Sequence, residues 1–363
     1  MARGFLILGC LLLLCTVPLY AGSPVPVLCY HGFCDDSVSA AGALTTTYGQ
    51  FEAMLQFLAR RGYVSCFPDD VQSGACPSER RVILTFDDGT RDQLRAADLM
   101  QQYGLKGIFF VIPRRVAAGS GRWMTAEELQ ALARRGHRIA AHGYNHEMMP
   151  ESHEEIEASR ERSPLLLREI LCAGYSPTDF AFPFGHYDTN TLSALAGTYR
   201  YLHTVNPGYW DGCSAIIPRM VVTTDEEAAF FQAYLLGAPQ FHPALTLVTG
   251  EGAVSPVVEF RNDDTTRLDA VELMSVSPDL AGHMYTRHAL DSNIVVDGSR
   301  VRINLKNHMK CYYAPDRRII AYALLTKSGG MLRYVSSGHT HWIEEPISTS
   351  HQPLTPSRNI YAH

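Results

Sequence analysis

From Val25 to about residue 240, short apolar runs alternate with segments of helical period. Val25–Tyr30 reads as a strand. Phe51, Met54, Leu55 and Leu58 share one face of a helix spanning Tyr48–Arg61, which Gly62 stops. Val82, Ile83 and Leu84 form a β-branched run that reads as a buried strand through Phe86. A helix over Thr90–Tyr103 ends at Gly104, and Gly107–Ile112 is the next strand. Thr125-Ala126-Glu127-Glu128 is a capping-box pattern that opens a helix to Gly136. Arg138–Ala141 reads as a strand, Glu154–Ala173 as a helix, and Phe180–Phe182 and Tyr199–Val205 as two further strands. Such β–α alternation predicts a parallel sheet or barrel with helices outside.

The pattern changes after about residue 240. Val301, Ile303 and Leu305 alternate with Arg302, Asn304 and Lys306, and Asp297-Gly298 and Gly329-Gly330 are hairpin-type turns. This predicts a smaller all-β, sandwich-like domain. The expected division is a leader over 1–23, an α/β domain over 24–240 and a β-rich domain over 245–363. A length of 363 residues suits two folded domains.

The leader follows from Arg3, the apolar run Phe5–Val17 and the small residues Ala21-Gly22-Ser23. Export is expected, to a periplasmic, cell-surface or extracellular location. Ala21 suits the last position before cleavage and Leu19 does not suit position −3, so a cleaved leader and a membrane anchor both stay open. Contact with a membrane is expected only through this segment. Seven Cys follow it (Cys29, Cys34, Cys66, Cys76, Cys172, Cys213 and Cys311), an odd number with no Cys-x-x-Cys pair. That spacing argues against a thiolate zinc site, and Cys66 with Cys76 would close a short loop. The net charge of −6, with no long basic run, gives no support to nucleic-acid binding.

Three segments carry candidate chemistry. In Leu84-Thr85-Phe86-Asp87-Asp88-Gly89 two carboxylates sit at the C-terminal end of a strand, where α/β folds place ligands. Asp and Gly are also ordinary turn residues. His142 and His146, in Ala141-His142-Gly143-Tyr144-Asn145-His146, can face the same way. With one carboxylate they make a three-ligand site with open positions, the pattern of catalytic zinc-like metals. The other reading is two surface histidines among 15. Phe182-Pro183-Phe184-Gly185 takes a strand into a turn that can offer backbone N–H groups to an oxyanion.

Thr85–Gly89, His142–His146 and Phe182–Gly185, in that order, resemble the first three motifs of the polysaccharide deacetylases, the NodB-homology proteins of carbohydrate esterase family 4. The resemblance covers about residues 24–240 and leaves the β-rich tail aside. It implies an irregular (β/α) barrel of about seven strands. It implies Asp87 as general base, and Asp88, His142 and His146 as ligands of one divalent metal ion, zinc or else cobalt, nickel or manganese. It also implies oxyanion and substrate binding around Phe184 and Pro183.

Two positions depart from the family pattern. The family places a catalytic acid His in a late Leu-x-His motif, and Leu202-His203 comes too early for it. Val27-Leu28-Cys29-Tyr30-His31 instead ends the first strand, as in the subgroup acting on poly-β-1,6-N-acetylglucosamine. First and last strands are neighbours in a closed barrel, so His31 is assigned the acid role; a loop-bonded His is the plain alternative. Many members also carry an Arg two residues before the motif Pro, where this chain has Ala181. Arg219, in Ile217-Pro218-Arg219-Met220-Val221, is the candidate replacement. Trp210 either stacks on a pyranose or packs under a loop.

The expected function is metal-dependent hydrolysis of N-acetyl groups on a polysaccharide, with an N-acetylglucosamine exopolysaccharide as substrate. Peptidoglycan- or chitin-type deacetylation and O-acetyl ester hydrolysis use the same residues. A non-catalytic carbohydrate-binding protein on the same barrel is the alternative of another class.

Overall fold

The computed structural model describes residues 24–36, 44–149, 152–223 and 228–236, and the backbone of strands between 244 and 343. The expected leader over 1–23 lies outside the described residues. No helix among them is long and apolar enough to cross a membrane.

The α/β unit runs β1 (Val27–Tyr30), β2 (Gly32–Cys34), β3 (Thr45–Thr47), α1 (Tyr48–Arg60), β4 (Val64–Ser65), α2 (Pro68–Ser73), β5 (Arg81–Phe86) and α3 (Gln93–Gln102). It continues with β6 (Ile108–Val111), α4 (Pro113–Ala117), α5 (Ala126–Arg134), β7 (Arg138–Ala141), α6 (His153–Leu171) and β8 (Asp179–Ala181). It ends with α7 (Thr189–Leu195), β9 (Tyr201–His203), β10 (Ile216–Ile217), β11 (Met220–Val221) and α8 (Ala228–Leu236). The capping box expected at Thr125 is present: its hydroxyl accepts from Glu128 N–H at 3.3 Å, and Glu128 accepts from Thr125 N–H at 2.8 Å. Thr47 and Gln50 cap α1 in the same way.

The sheet order is β10-β9-β8-β7-β6-β5-β1-β11, with β4 added on β5, and each of these pairings is parallel. β10 pairs with β9 and β11 with β1, although only Pro218 and Arg219 separate them. One short segment therefore spans both edges of the curled sheet. Proline has no N–H for a ladder, which breaks this closing strand into two pieces. Counted as one stave, it brings the main path to seven, with β4 branching from β5.

Both faces of the sheet are buried, so the strands are nearly continuous apolar runs. Leu28, Leu84, Phe86, Phe109 and Ile139 point outward, into the core that holds the helices. Val27, Ile83, Ile108, Phe110, Ala140, Ala181 and Ile217 fill the barrel. Cys66 and Cys76, beside this inner cluster, are disulfide-bonded with Cα atoms 6.1 Å apart.

Beyond residue 243 the described strands pair antiparallel. One sheet takes the order β12 (Ala244–Gly250), β13 (Ala253–Arg261), β17 (Arg300–Asn304), β16 (Ile294–Asp297). The other joins β15 (Tyr285–Ala289), β14 (Ala270–Val276), β18 (Arg318–Ser328) and β19 (Met331–Tyr334), with β20 (His339–Ile343) also on β18. Pairing of Asp297 with Arg300, and of Ser328 with Met331, frames the two hairpin turns read from sequence. The turn residues 298–299 and 329–330 lie outside the described residues.

Candidate active site

Because the barrel strands are parallel, their C-terminal ends gather at one rim. His31 follows β1, Asp87 and Asp88 follow β5, His142 follows β7 and Pro183 stands two residues after β8. β6 separates the Asp pair from His142. Gly89 lets the β5 turn cross that gap: its φ is +72°, and a Cβ there would sit 2.7 Å from Cγ1 of Val111, the last residue of β6. Asp88 Oδ1 then lies 3.6 Å from His142 Nε2 and 3.3 Å from His146 Nε2.

The three ligand atoms fit a divalent cation. They converge within 4.8 Å of one another. His142 Nδ1 lies 2.9 Å from the Ala181 carbonyl oxygen. A carbonyl only accepts, so Nδ1 carries the proton and the Nε2 lone pair faces Asp88. This is how metal-binding imidazoles are oriented. Burial also pushes the His142 imidazole down to about 4, against the opposing pull of Asp87, so the ring is neutral at neutral pH. Two carboxylates and two imidazoles, with Asp88 and His146 part-exposed, can hold and use a Lewis-acidic cation.

Asp87 is buried beneath Asp88. Arg219 grips it with two parallel contacts, Nη1 to Oδ1 at 2.6 Å and Nη2 to Oδ2 at 2.8 Å. Arg219 is itself fully buried. Its Nε donates to Thr204 O at 2.9 Å and its Nη1 to Thr85 Oγ1 at 3.3 Å. Burial alone would raise the Asp87 carboxyl; Arg219, with His142, outweighs it and holds the group well below the usual carboxylate range. At Asp88 burial likewise raises the carboxyl, but the hydrogen bond and charge of His146 oppose it and hold this group low as well. His31 Nε2 stands 3.9 Å from Asp87 Oδ2.

Asp88 (φ 76°), His146 (φ 64°) and Phe184 (φ 57°) are the non-glycine residues with positive φ among those described. All three belong to this cluster. The left-handed region costs an L-residue roughly 1–2 kcal/mol, and such strain gathers where function requires it. The Phe184 ring lies 4.5 Å from that of His146, centroid to centroid. The turn Pro183–Gly185 that carries it closes over Val205, and a Cβ on Gly185 would overlap Val205 Cγ2 at 2.1 Å.

Residues 74–199 match the family model for polysaccharide deacetylases. Over this stretch the chain is similar to the polysaccharide deacetylases. YxkH of Bacillus subtilis (strain 168), named as a polysaccharide deacetylase, is 28% identical over 191 residues. The match covers 51% of this chain and 65% of YxkH. The deacetylase PplD of Streptococcus pyogenes, solved in complex with acetate, superposes with a TM-score of 0.53 at 22% identity. That likeness covers 57% of this chain and 96% of PplD. A de-N-acetylase from Aggregatibacter actinomycetemcomitans superposes at 0.52 with 16% identity, over 56% of this chain and 97% of the other. At these identities the two structures speak for the fold.

Of the residues singled out from sequence, the α/β unit brings His31, Asp87, Asp88, His142, His146, Pro183, Phe184 and Arg219 to one rim. Trp210 is not among them. It is fully buried, pairs by its backbone with Val25 ahead of β1, and donates from Nε1 to Ser214 O at 2.9 Å. It plugs the end of the barrel where the strands begin, with no face open to a sugar, which corrects the stacking reading. His203 is also internal, its Nε2 bound to Asp179 Oδ1 at 2.8 Å.

Two positioning residues escape the sequence reading. Gln93, buried at the start of α3, donates from Nε2 to both His31 O (2.9 Å) and Asp87 O (2.5 Å). It ties together the strand ends that carry those two side chains. Glu155, buried on α6, accepts from Tyr144 N–H at 2.6 Å and Asn145 N–H at 2.9 Å, holding the loop between the two histidines. Ser152-x-x-Glu155 has the letters of a capping box, but Glu155 faces that loop, and only the Ser152 hydroxyl caps α6.

Proposed function

We propose that the domain removes N-acetyl groups from an N-acetylglucosamine-containing polysaccharide by metal-assisted hydrolysis. The observation that carries this reading is the pairing of two neighbouring carboxylates in different settings. Asp88 lies against two neutral-capable imidazoles, and Asp87 lies against a guanidinium. A pure binding protein has no need of a second, ionised carboxylate beside a metal site.

Asp88, His142 and His146 would hold the cation, with zinc as the first candidate. When bound it supplies a Lewis acid that polarises an acetyl carbonyl and makes a nearby water acidic. Asp87 takes the proton from the attacking water. Its carboxylate is only weakly basic with Arg219 alongside, so it depends on that acidity. The backbone N–H of Phe184 stabilises the oxyanion. His31, beside Asp87 at the end of the adjacent strand, gives a proton to the departing nitrogen, and acetate and a free amine leave.

Support for amide acetyl groups comes from the names of two fold relatives, a de-N-acetylase and a deacetylase holding acetate. Support for the exopolysaccharide class comes from His31 at the end of β1. The same residues serve peptidoglycan, chitin or O-acetyl substrates, so the test is direct. The protein should release acetate from β-1,6-linked N-acetylglucosamine oligomers faster than from β-1,4-linked ones. The reverse preference would reassign the polymer, and release from neither, with metal bound, would overturn the reading. The leader composition and the Cys66–Cys76 disulfide support export to an oxidising compartment. The antiparallel strands after residue 243 are proposed as an accessory β domain.

A further inference from the structure

The three-ligand group at Asp88 is not the only convergence of ligating side chains among the described residues. Cys29, His31 and Asp87 form a second, with one ligand atom of each within 4.8 Å of the others. The sheet register builds it. Cys29 and His31 are two apart, so they share a face, and Cys29 pairs with Thr85, two residues before Asp87. All three side chains therefore point into the barrel mouth from adjacent strands. Cys29 is fully buried, with its thiol against the side chains of Thr85 and Asp87.

We propose that Cys29, His31 and Asp87 are a second cation site, selective for thiophilic divalent ions such as zinc, cobalt or cadmium, and that filling it switches the enzyme off. The ligand chemistry differs from that of the first site. Asp88, His142 and His146 offer oxygen and nitrogen, whereas a thiolate selects soft and borderline metals. Binding forms a sulfur–metal bond and releases the thiol proton to solvent, and the thiolate charge offsets the incoming cation. Asp87 Oδ2 already accepts from Arg219 and keeps a lone pair toward His31, so the guanidinium need not leave.

The inhibitory half rests on the roles proposed above. An Asp87 that ligates a cation cannot take a proton from water, and a His31 that does so cannot donate one. Activity should therefore rise with the first equivalent of metal and fall with a second.

Cobalt(II) titration of the metal-free protein tests this without substrate. The first equivalent should give visible ligand-field bands alone. The second should add a thiolate-to-cobalt charge-transfer band in the near ultraviolet, with loss of activity at the same point. Cys29→Ser should bind the first equivalent, keep deacetylation, lose that band and resist excess metal; Cys29→Ala replaces it should the serine variant not fold. Variants of Cys34, Cys172 and Cys213 should keep the band. No thiolate band, or one that survives in the Cys29 variants, overturns the site. A protein that shows the band yet deacetylates nothing overturns the proposed function and leaves the site standing.

Discussion

Arg219 and Asp87, 132 residues apart in sequence, meet as a two-point ion pair inside the barrel. The strand that closes the barrel delivers the guanidinium, because Pro218 breaks that strand just before Arg219. Ala181, two residues before Pro183, has no charged side chain to offer, and its backbone carbonyl orients His142. The charge that sets the proposed base thus comes from across the barrel.

Replacing Arg219 separates geometry from charge. Arg219→Lys keeps a cation but cannot form the parallel pair. It should lower kcat by about 10- to 100-fold with KM little changed, as expected when a group acts through the base. Arg219→Met leaves Asp87 buried without its partner and should cost about 3–5 kcal/mol of stability. Steady-state kinetics and denaturant unfolding read the two effects.

Glu155 should matter through metal affinity. Glu155→Ala removes the acceptor for Tyr144 and Asn145 N–H and frees the loop between the two histidine ligands. Affinity for zinc should fall about 10- to 100-fold, measured by competition with a chelating dye. Unchanged affinity would mean the loop holds its shape without Glu155.

Gln93→Leu leaves the carbonyls of His31 and Asp87 without their shared donor. A stability loss of about 1–3 kcal/mol is expected from buried groups left unpaired, with a fall in kcat larger than any change in KM. Gln93→Glu, which accepts rather than donates when ionised, should not rescue it.

His137 makes stability depend on pH away from the site. Its Nδ1 accepts from Gly107 N–H at 3.2 Å, and its ring stands edge-on to Phe109. Burial, with Arg135 and Lys106 adding to it, pushes the imidazole down to about 4. The unfolded chain takes a proton near pH 6.5 and the folded chain not until about 4. Stability is therefore full above 6.5 and falls as pH drops through that window, by about 3 kcal/mol at most for a shift of this size. His186, lowered to about 4 by burial, adds in the same direction. His137→Gln should flatten the unfolding free energy between pH 6.5 and 4 by its share.

Much of the site was legible because its parts are contiguous. Asp87-Asp88, His142 to His146 and Pro183-Phe184 each sit directly after a strand, and parallel strands bring their ends to one rim. The Asp pair and His142 are not on neighbouring strands, however. β6 lies between them, and the crossing depends on Gly89 approaching Val111, a contact no periodicity reveals. Gln93 and Glu155 look like ordinary polar residues at the starts of helices; only the tertiary structure turns them inward. The two readings of Trp210 stayed open because sequence does not say which end of a barrel a loop residue faces; its full burial matches the packing one. β10 and β11, at two residues each, are too short to carry an alternation.

The central claim is that Asp88 holds the cation and Asp87 does the proton transfer. Metal content and acetate release from an N-acetylglucosamine oligomer should be measured together on the unaltered protein, Asp88→Ala and Asp87→Asn. Asp88→Ala should lose both bound metal and acetate release, whereas Asp87→Asn should keep one equivalent of metal and release no acetate. An Asp88→Ala protein that still binds metal and still releases acetate would contradict the account.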